Sequence, residues 1–184
     1  MRFAGITDND IVDGIDGISV SFWTQGCPFH CHGCHNPETW DFNGGKELPD
    51  YYLDSLIEKL TANGIQRNLS ILGGEPLCPE NEGLIYSICR VVKQDLPNIK
   101  IILWTGYTME QLKKRAKTND PFIGSLLKNY LDVIIDGPYK QELRDLRLKL
   151  RGSSNQRIWK RIKYKLPLLH KNDYHWVSIK EENI

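Results

Sequence analysis

The apolar residues of this chain follow two alternating patterns. Four short runs are rich in aliphatic, β-branched or aromatic residues, as is typical of buried strands: residues 15–24, 69–72, 101–104 and 131–135. Between them, apolar residues recur at helical spacing in three segments: residues 51–60, the stretch after Pro79 that includes Leu84 and Ile88, and residues 108–117. Alternating strands and helices predict βαβ units. We therefore expect an α/β fold with a curved, mostly parallel sheet.

The length of the chain limits how far such a sheet can close. A complete eight-unit (β/α) barrel needs about 250 residues, and this chain has 184. After Gly137 the pattern weakens, with one further possible strand at residues 157–162. We predict a single domain over residues 1–184 that forms a partial (β/α) barrel.

Composition indicates an ordinary globular protein. Hydrophobic residues make up 40% of the chain and charged residues 26%, which excludes disordered and fibrous classes. No apolar run approaches the roughly 18–20 residues of a membrane-spanning helix. The first 17 residues contain four aspartates and no apolar core, so they do not resemble a secretory signal. We expect a cytoplasmic protein without a membrane partner.

The formal net charge of +1 conceals an uneven distribution. Residues 140–171, the basic C-terminal region, contain 11 basic and 2 acidic residues. Such a region is either a solvated surface or a docking face for an anionic partner. We do not expect nucleic acid as that partner, because Trp159 and Tyr164 are not arranged in a stacking motif.

Three of the five cysteines are crowded into one segment. Cys27, Cys31 and Cys34 have the spacing C-x3-C-x2-C, whereas the other two lie far along the chain and are expected to be packing residues. Thiolates select zinc, copper(I) or iron-sulfur clusters. Structural zinc normally takes two separated ligand pairs, although nearby histidines leave zinc open as an alternative. On a 4Fe-4S cluster, three cysteines would leave one iron open to another ligand.

These motifs resemble a known family. The cysteine spacing is that of radical S-adenosylmethionine enzymes, and residues 73–76 (GGEP) resemble their methionine-binding motif. Five stretches, in family order, resemble the activating proteins of anaerobic ribonucleoside-triphosphate reductases: GCPFHCHGCHNPETWD (26–41), GGEPL (73–77), WTGY (104–107), DGPY (136–139) and DLRLKLRGSSNQR (145–157).

The resemblance implies a radical S-adenosylmethionine fold and a mechanism. Cys27, Cys31 and Cys34 would be the catalytic cluster ligands, and S-adenosylmethionine would bind the open iron. Reductive cleavage would give a 5'-deoxyadenosyl radical, which removes hydrogen from a glycine in the large subunit of the reductase. The protein supplies position and electrostatics, and the cofactors supply the chemistry. The resemblance also implies an external electron donor, flavodoxin or a similar protein.

The same resemblance assigns cofactor-binding residues. Gly73 and Gly74 would let the backbone approach the methionyl group, and Glu75 would either accept a hydrogen bond or shape the turn. Gly33 stands where the wider superfamily often has an aromatic residue, so adenine contact would fall to backbone near Gly33 and Cys34 and to the side chain of His35.

Two alternative functions are also compatible with these residues. One is a different small radical S-adenosylmethionine enzyme, such as a 7-carboxy-7-deazaguanine synthase or another glycyl-radical activase. The other is a non-enzymatic zinc or iron-sulfur module that uses the same cysteines.

Overall fold

The computed structural model describes residues 1–118, 120–165 and 172–180, and in that part of the chain the strands form one eight-stranded sheet. The strands are β1 (Arg2–Asp10), β2 (Ser19–Thr24), β3 (Lys46–Glu47), β4 (Asn68–Gly73), β5 (Ile101–Thr105), β6 (Val133–Asp136), β7 (Arg157–Lys165) and β8 (Asn172–Ile179). The helices are α1 (Tyr52–Thr61), α2 (Glu82–Asp95), α3 (Met109–Lys117) and α4 (Pro121–Ser125). A π-helical turn and three short 3-10 turns complete the described elements: Leu126–Tyr130, Pro37–Thr39, Ala62–Gly64 and Gln141–Leu143.

The order of strands across the sheet is β3-β1-β2-β4-β5-β6-β7-β8. The four central strands β2, β4, β5 and β6 are parallel, as the alternation of strands and helices predicts. The prediction of a mostly parallel sheet is wrong for the whole sheet, because four of its seven strand pairs are antiparallel. Parallel neighbours need a crossover of about a dozen residues or more, and only residues 11–18 separate β1 from β2. In the described part of the chain the sheet is mixed and open.

Side chains that alternate along the central strands pack on opposite faces of the sheet. On one face, Phe22, Ile71 and Leu103 belong to the main apolar cluster, together with buried residues of all four helices. On the other face, Ile102 and Ile135 belong to a smaller cluster that also contains Ile15. The predicted strand at residues 15–24 therefore begins only at Ser19, because Ile15 lies in the loop that covers this second face.

The start of α3 illustrates how local sequence fixes an element. The backbone N–H of Gln111 donates to Thr108 Oγ1 (3.3 Å), and the Gln111 side chain accepts from the backbone N–H of Thr108 (2.7 Å). This reciprocal capping box satisfies two N–H groups that have no partner within the helix. The sequence signature of this motif is Thr108 followed by Gln111 three residues later. In the described part of the chain, no helix is long and apolar enough to cross a membrane.

Two arginines of the basic C-terminal region stabilise the sheet. Arg157 donates to the fully buried Asp136 through Nε (3.0 Å) and Nη2 (2.5 Å), and Asp136 also accepts from the backbone N–H of Met109 (2.6 Å). Arg161 donates through Nη2 to Oδ1 of Asp132 (3.0 Å), the residue that directly precedes β6. These two arginines join β7 to β6 and are therefore not free to dock a partner. Residues 166–171 of the region lie outside the described residues.

We expect Asp136→Asn to lower the free energy of unfolding by about 3 kcal/mol, because the change removes the charge from a buried ion pair. Arg157 offers a matched control, since its other carboxylate partner, Glu110, has a side chain that is 65% exposed. Glu110→Gln should cost about 0–1 kcal/mol. Urea denaturation of both variants measures the difference, and equal losses would contradict the assignment of Asp136 as the structural partner.

Candidate active site

A cavity of about 450 Å³ lies at the carboxyl ends of the parallel strands. Its walls include residues that directly follow β2, β4, β5 and β6, and the segment that contains residues 146–156 adds a further wall. Ligand sites of parallel α/β sheets lie at this edge, because the loops that follow the strands converge there. Cys27, Cys31 and Cys34 all line this cavity, as do Gly73, Gly74 and Glu75. The structure thus brings the two predicted motifs to one place.

The cysteine loop leaves β2 through a backbone turn at Gly26. Gly26 has a φ of +93°, a conformation that side-chain-bearing residues rarely adopt. Its N–H donates to the carbonyl of Thr39 (2.8 Å), and the N–H of Cys27 donates to the carbonyl of Trp40 (3.1 Å). Both ends of the loop are therefore held together, so the segment between them forms a closed unit at the rim of the sheet.

The three thiols line the cavity as neighbours: after burial, the charge of Cys34 is among the causes that raise the pKa of Cys31, and that of Cys31 is among those that raise the pKa of Cys27. Among the residues that the structure describes, no group of three His, Cys, Asp or Glu side chains is arranged to hold a single metal ion. In a 4Fe-4S cluster each thiolate binds a different iron, so the three sulfur atoms need not meet at one point to hold such a group. Burial raises the pKa of the Cys27 and Cys31 thiols, so metal binding there would displace protons.

The Gly73-Gly74 turn lies directly against the cysteine loop. Gly73 has a φ of +99°, and a Cβ on Gly74 would overlap the backbone of Gly26, with 3.0 Å to its carbonyl carbon. The N–H of Gly74 donates to the Thr24 carbonyl (2.9 Å), and the N–H of Glu75 donates to the Gly26 carbonyl (2.8 Å). Glycine is needed here because the two backbones touch.

Glu75 is fully buried and ties the end of β4 to the end of β5. Its Oε1 accepts from Thr105 Oγ1 (2.7 Å) and from the backbone N–H of Leu77 (2.8 Å), and its Oε2 accepts from the N–H of Gly106 (2.7 Å). Burial raises the pKa of the Glu75 carboxyl to about 7, although these hydrogen bonds oppose the shift. Of the two predicted roles of Glu75, shaping the turn is the one with direct geometric support.

Gly33 and His35 lie beside the segment that follows β6. Gly33 has a φ of +73°, and the side chain of Gln141 fills the space that a Cβ at residue 33 would occupy. Tyr139 donates through its hydroxyl to Gln141 Oε1 (2.6 Å), and its ring lies 5.2 Å from that of His35. His35 and Tyr139 both line the cavity, so the predicted loop histidine reaches the site in contact with an aromatic side chain.

Several cavity residues were not assigned a firm role from the sequence. Trp104 donates through Nε1 to the carbonyl of Leu150 (2.7 Å), which fastens the 146–156 wall to β5. Asp13 and Trp23 reach the cavity from the helix-free face of the sheet. Burial, followed by the charge of Asp10, raises the pKa of Asp13 to about 6. No motif in the sequence marks Asp13, because its place depends on how the 11–18 loop folds back.

Comparisons with known proteins agree with this geometry. The family described as a 4Fe-4S single cluster domain matches residues 12–159. A protein of Pasteurella multocida is 32% identical over 165 residues, which cover 89% of this chain and 100% of that protein. A protein of Vibrio cholerae is 35% identical over 81% of this chain and 91% of its own length, and one of bacteriophage T4 is 36% identical over 86% and 94%. All three are named anaerobic ribonucleoside-triphosphate reductase-activating protein.

The chain belongs to this family of activating proteins. The resemblance drawn from the five sequence stretches is therefore confirmed. Within this activating protein, the match to the 4Fe-4S domain contains the whole cysteine loop and the Gly73-Gly74-Glu75 turn, whereas β8 lies beyond it.

Proposed function

We propose that this chain is an activase that generates a glycyl radical on an anaerobic ribonucleoside-triphosphate reductase. The observation that carries the proposal is the meeting of the three thiols with the Gly73-Gly74-Glu75 turn in one cavity at the carboxyl ends of parallel strands. Cys27, Cys31 and Cys34 would hold a 4Fe-4S cluster with one open iron. When bound, the cluster and S-adenosylmethionine supply one-electron reductive cleavage of the sulfonium.

The protein residues have separate tasks in this proposal. The backbone of Gly73 and Gly74 and the loop around Gly33 and His35 would bind and orient S-adenosylmethionine. Glu75 would hold the turn in register with β5 through its hydrogen bonds to Thr105 and Gly106.

We propose that the central sheet is the partial (β/α) barrel of radical S-adenosylmethionine enzymes and that residues 1–184 form one domain. The parallel order β2-β4-β5-β6, with the helix-packed face on one side and the cavity at the carboxyl ends, supports this assignment. An open sheet suits a macromolecular substrate, because a fully closed barrel would not admit a loop of another protein.

Anaerobic preparation of the protein tests the proposed function. The purified protein should contain about four irons per chain and, once reduced, should cleave S-adenosylmethionine to 5'-deoxyadenosine. Addition of the large reductase subunit should produce a glycyl radical doublet in the electron paramagnetic resonance spectrum. Turnover of a small pterin without a protein partner would support a deazaguanine synthase instead. A colourless protein with one zinc and no iron would support the non-enzymatic module.

The mouth of the cavity carries apolar side chains from two loops. Val12 and Leu146 both line the cavity, yet they are 76% and 75% exposed. Exposed apolar groups at a site mark contacts with another molecule. We propose that the glycine-bearing segment of the reductase passes between them.

We expect the double variant Val12→Asp, Leu146→Asp to form about tenfold less glycyl radical per S-adenosylmethionine cleaved, because loss of apolar anchors weakens docking of the reductase. Ile65→Asp is the matched control, since Ile65 is 50% exposed and precedes β4, at the opposite end of the strands. The ratio of glycyl radical to 5'-deoxyadenosine measures what share of S-adenosylmethionine cleavage leads to a radical on the reductase. An unchanged ratio in the double variant would rule out docking at this mouth.

A further inference from the structure

Asn81 stands at the N-cap of α2 but does not cap the helix. Asparagine is favoured at this position because its side-chain oxygen accepts from an N–H of the first turn. Here the Asn81 side chain makes no such hydrogen bond. The residue is only 7% exposed, so its amide must find its hydrogen-bond partners inside the protein.

Those partners belong to both halves of the candidate site. Asn81 Nδ2 lies 3.0 Å from the carbonyl oxygen of Gln25, 3.3 Å from that of Gly26 and 2.9 Å from that of Glu75. Three carbonyl oxygens surround this atom, so only the NH2 end of the amide fits there, and its two hydrogens are shared among them. Gln25 and Gly26 directly precede the first cysteine of the loop, and Glu75 closes the glycine turn.

We propose that Asn81 is a positioning residue that fixes the cysteine loop relative to the Gly73-Gly74-Glu75 turn. The inference rests on the proposed function, in which the loop holds the cluster and the turn binds the methionyl group of S-adenosylmethionine. The distance between those two backbones then decides whether one cofactor molecule can reach both. Asn81 sets that distance from a third element, α2, whose apolar face is anchored in the main cluster.

The amide donor can be removed while a residue type that is favoured at helix N-caps is kept. Asn81→Asp keeps the shape and is a favoured N-cap whose charge suits a helix N-terminus. It has no N–H, however, and turns an oxygen towards three carbonyl oxygens. Asn81→Ser also preserves a capping side chain but is too short to span both backbones. If Asn81 served only α2, both variants would be neutral or stabilising.

Thr108→Ala supplies a matched control for a loss of stability away from the cavity. Thr108 caps α3 through its hydrogen bond with Gln111 and does not line the cavity. The substitution should lower the melting temperature and leave cofactor binding unchanged. It therefore shows how much of any effect comes from stability alone.

The experiment compares wild type, Asn81→Asp, Asn81→Ser and Thr108→Ala after anaerobic reconstitution. Iron content, melting temperature, the Kd for S-adenosylmethionine and the change that this cofactor causes in the spectrum of the reduced cluster are measured. We expect both Asn81 variants to retain iron, to bind S-adenosylmethionine about tenfold more weakly, as for the loss of one hydrogen bond, and to show a reduced spectral change. Asn81→Ser should also melt below the wild-type temperature, because it leaves buried carbonyl oxygens without their donor.

Two results would overturn the inference. One is a wild-type Kd and spectral change in both Asn81 variants. The other is a loss of affinity in the Asn81 variants that is no larger than Thr108→Ala shows for the same drop in melting temperature. If wild type itself binds no iron or shows no response to S-adenosylmethionine, the proposed function fails instead, and the two failures are thereby distinguished.

Discussion

Replacement of Cys31 by serine is expected to abolish cluster assembly and S-adenosylmethionine cleavage together. The thiol of Cys31 is one of three that line the cavity, and a hydroxyl is a hard, weakly acidic ligand that does not replace a thiolate on iron. Two remaining thiolates would leave two irons of the cluster without protein ligands. Iron should fall from about four per chain to below about one, and cleavage should fall by more than about 100-fold.

Cys89→Ser is the control for this prediction. Cys89 lies on α2, fully buried in the main apolar cluster, and does not line the cavity. The prediction that it is a packing residue agrees with this burial. Its replacement should preserve iron and cleavage but lower the free energy of unfolding by about 1–3 kcal/mol, because a hydroxyl is buried in an apolar environment. Iron analysis and chromatography of 5'-deoxyadenosine measure both variants, and wild-type cleavage by Cys31→Ser would refute the assigned ligand.

The centre of the fold could be predicted from the sequence because its signals are local. Residues 101–104 are all apolar and residues 69–72 are apolar except for Ser70, and the observed strands Asn68–Gly73 and Ile101–Thr105 extend these runs by one residue or two. A strand that is buried on both faces of a sheet has a nearly continuous run of apolar residues, which is easy to recognise in a sequence. The helices follow from their 3.6-residue period and, for α3, from its capping box.

The outer strands could not be predicted because they depend on tertiary pairing. β1 has the sequence RFAGITDND, in which charged and small residues interrupt any period-two pattern. It becomes a strand because it pairs with β2 on one side and β3 on the other. Among the strands of the described residues, β8 pairs with β7 alone. Strands at or next to an edge of the sheet, with mixed exposure, carry a weak sequence signal, and their antiparallel pairing is what makes the whole sheet mixed.

The candidate site likewise has a part that could be predicted from the sequence and a part that could not. The cysteine spacing and the two glycines are short-range features, and they predicted the residues that meet at the cavity. The contacts that hold these motifs together are long-range: Glu75 binds Thr105, which lies 30 residues later, and Asn81 binds Gln25, 56 residues earlier. Such pairs depend on which strand ends become neighbours, so only the folded chain identifies them.

Gly74→Ala is expected to reduce S-adenosylmethionine cleavage by about 100-fold, because a shift of about 1 Å in an active site can cost that much. The added Cβ would overlap the backbone of Gly26, which cannot rotate away as a side chain can. Relief requires the turn and the cysteine loop to separate, and Gly26 directly precedes the cluster ligand Cys27 of the proposal. The hydrogen bond from the Glu75 N–H to the Gly26 carbonyl would lengthen at the same time.

Gly83→Ala introduces the same methyl group in a place where it fits. Gly83 lies in α2, and its Cβ would meet only the ring of Phe122, at 3.8 Å. Cleavage should stay at the wild-type rate, and stability should rise by about 0.4–1 kcal/mol because the unfolded chain loses freedom. The rate of 5'-deoxyadenosine formation and the urea midpoint of both variants measure these effects. Equal cleavage by the two alanine variants would show that the close approach of Gly74 to Gly26 does not position the site.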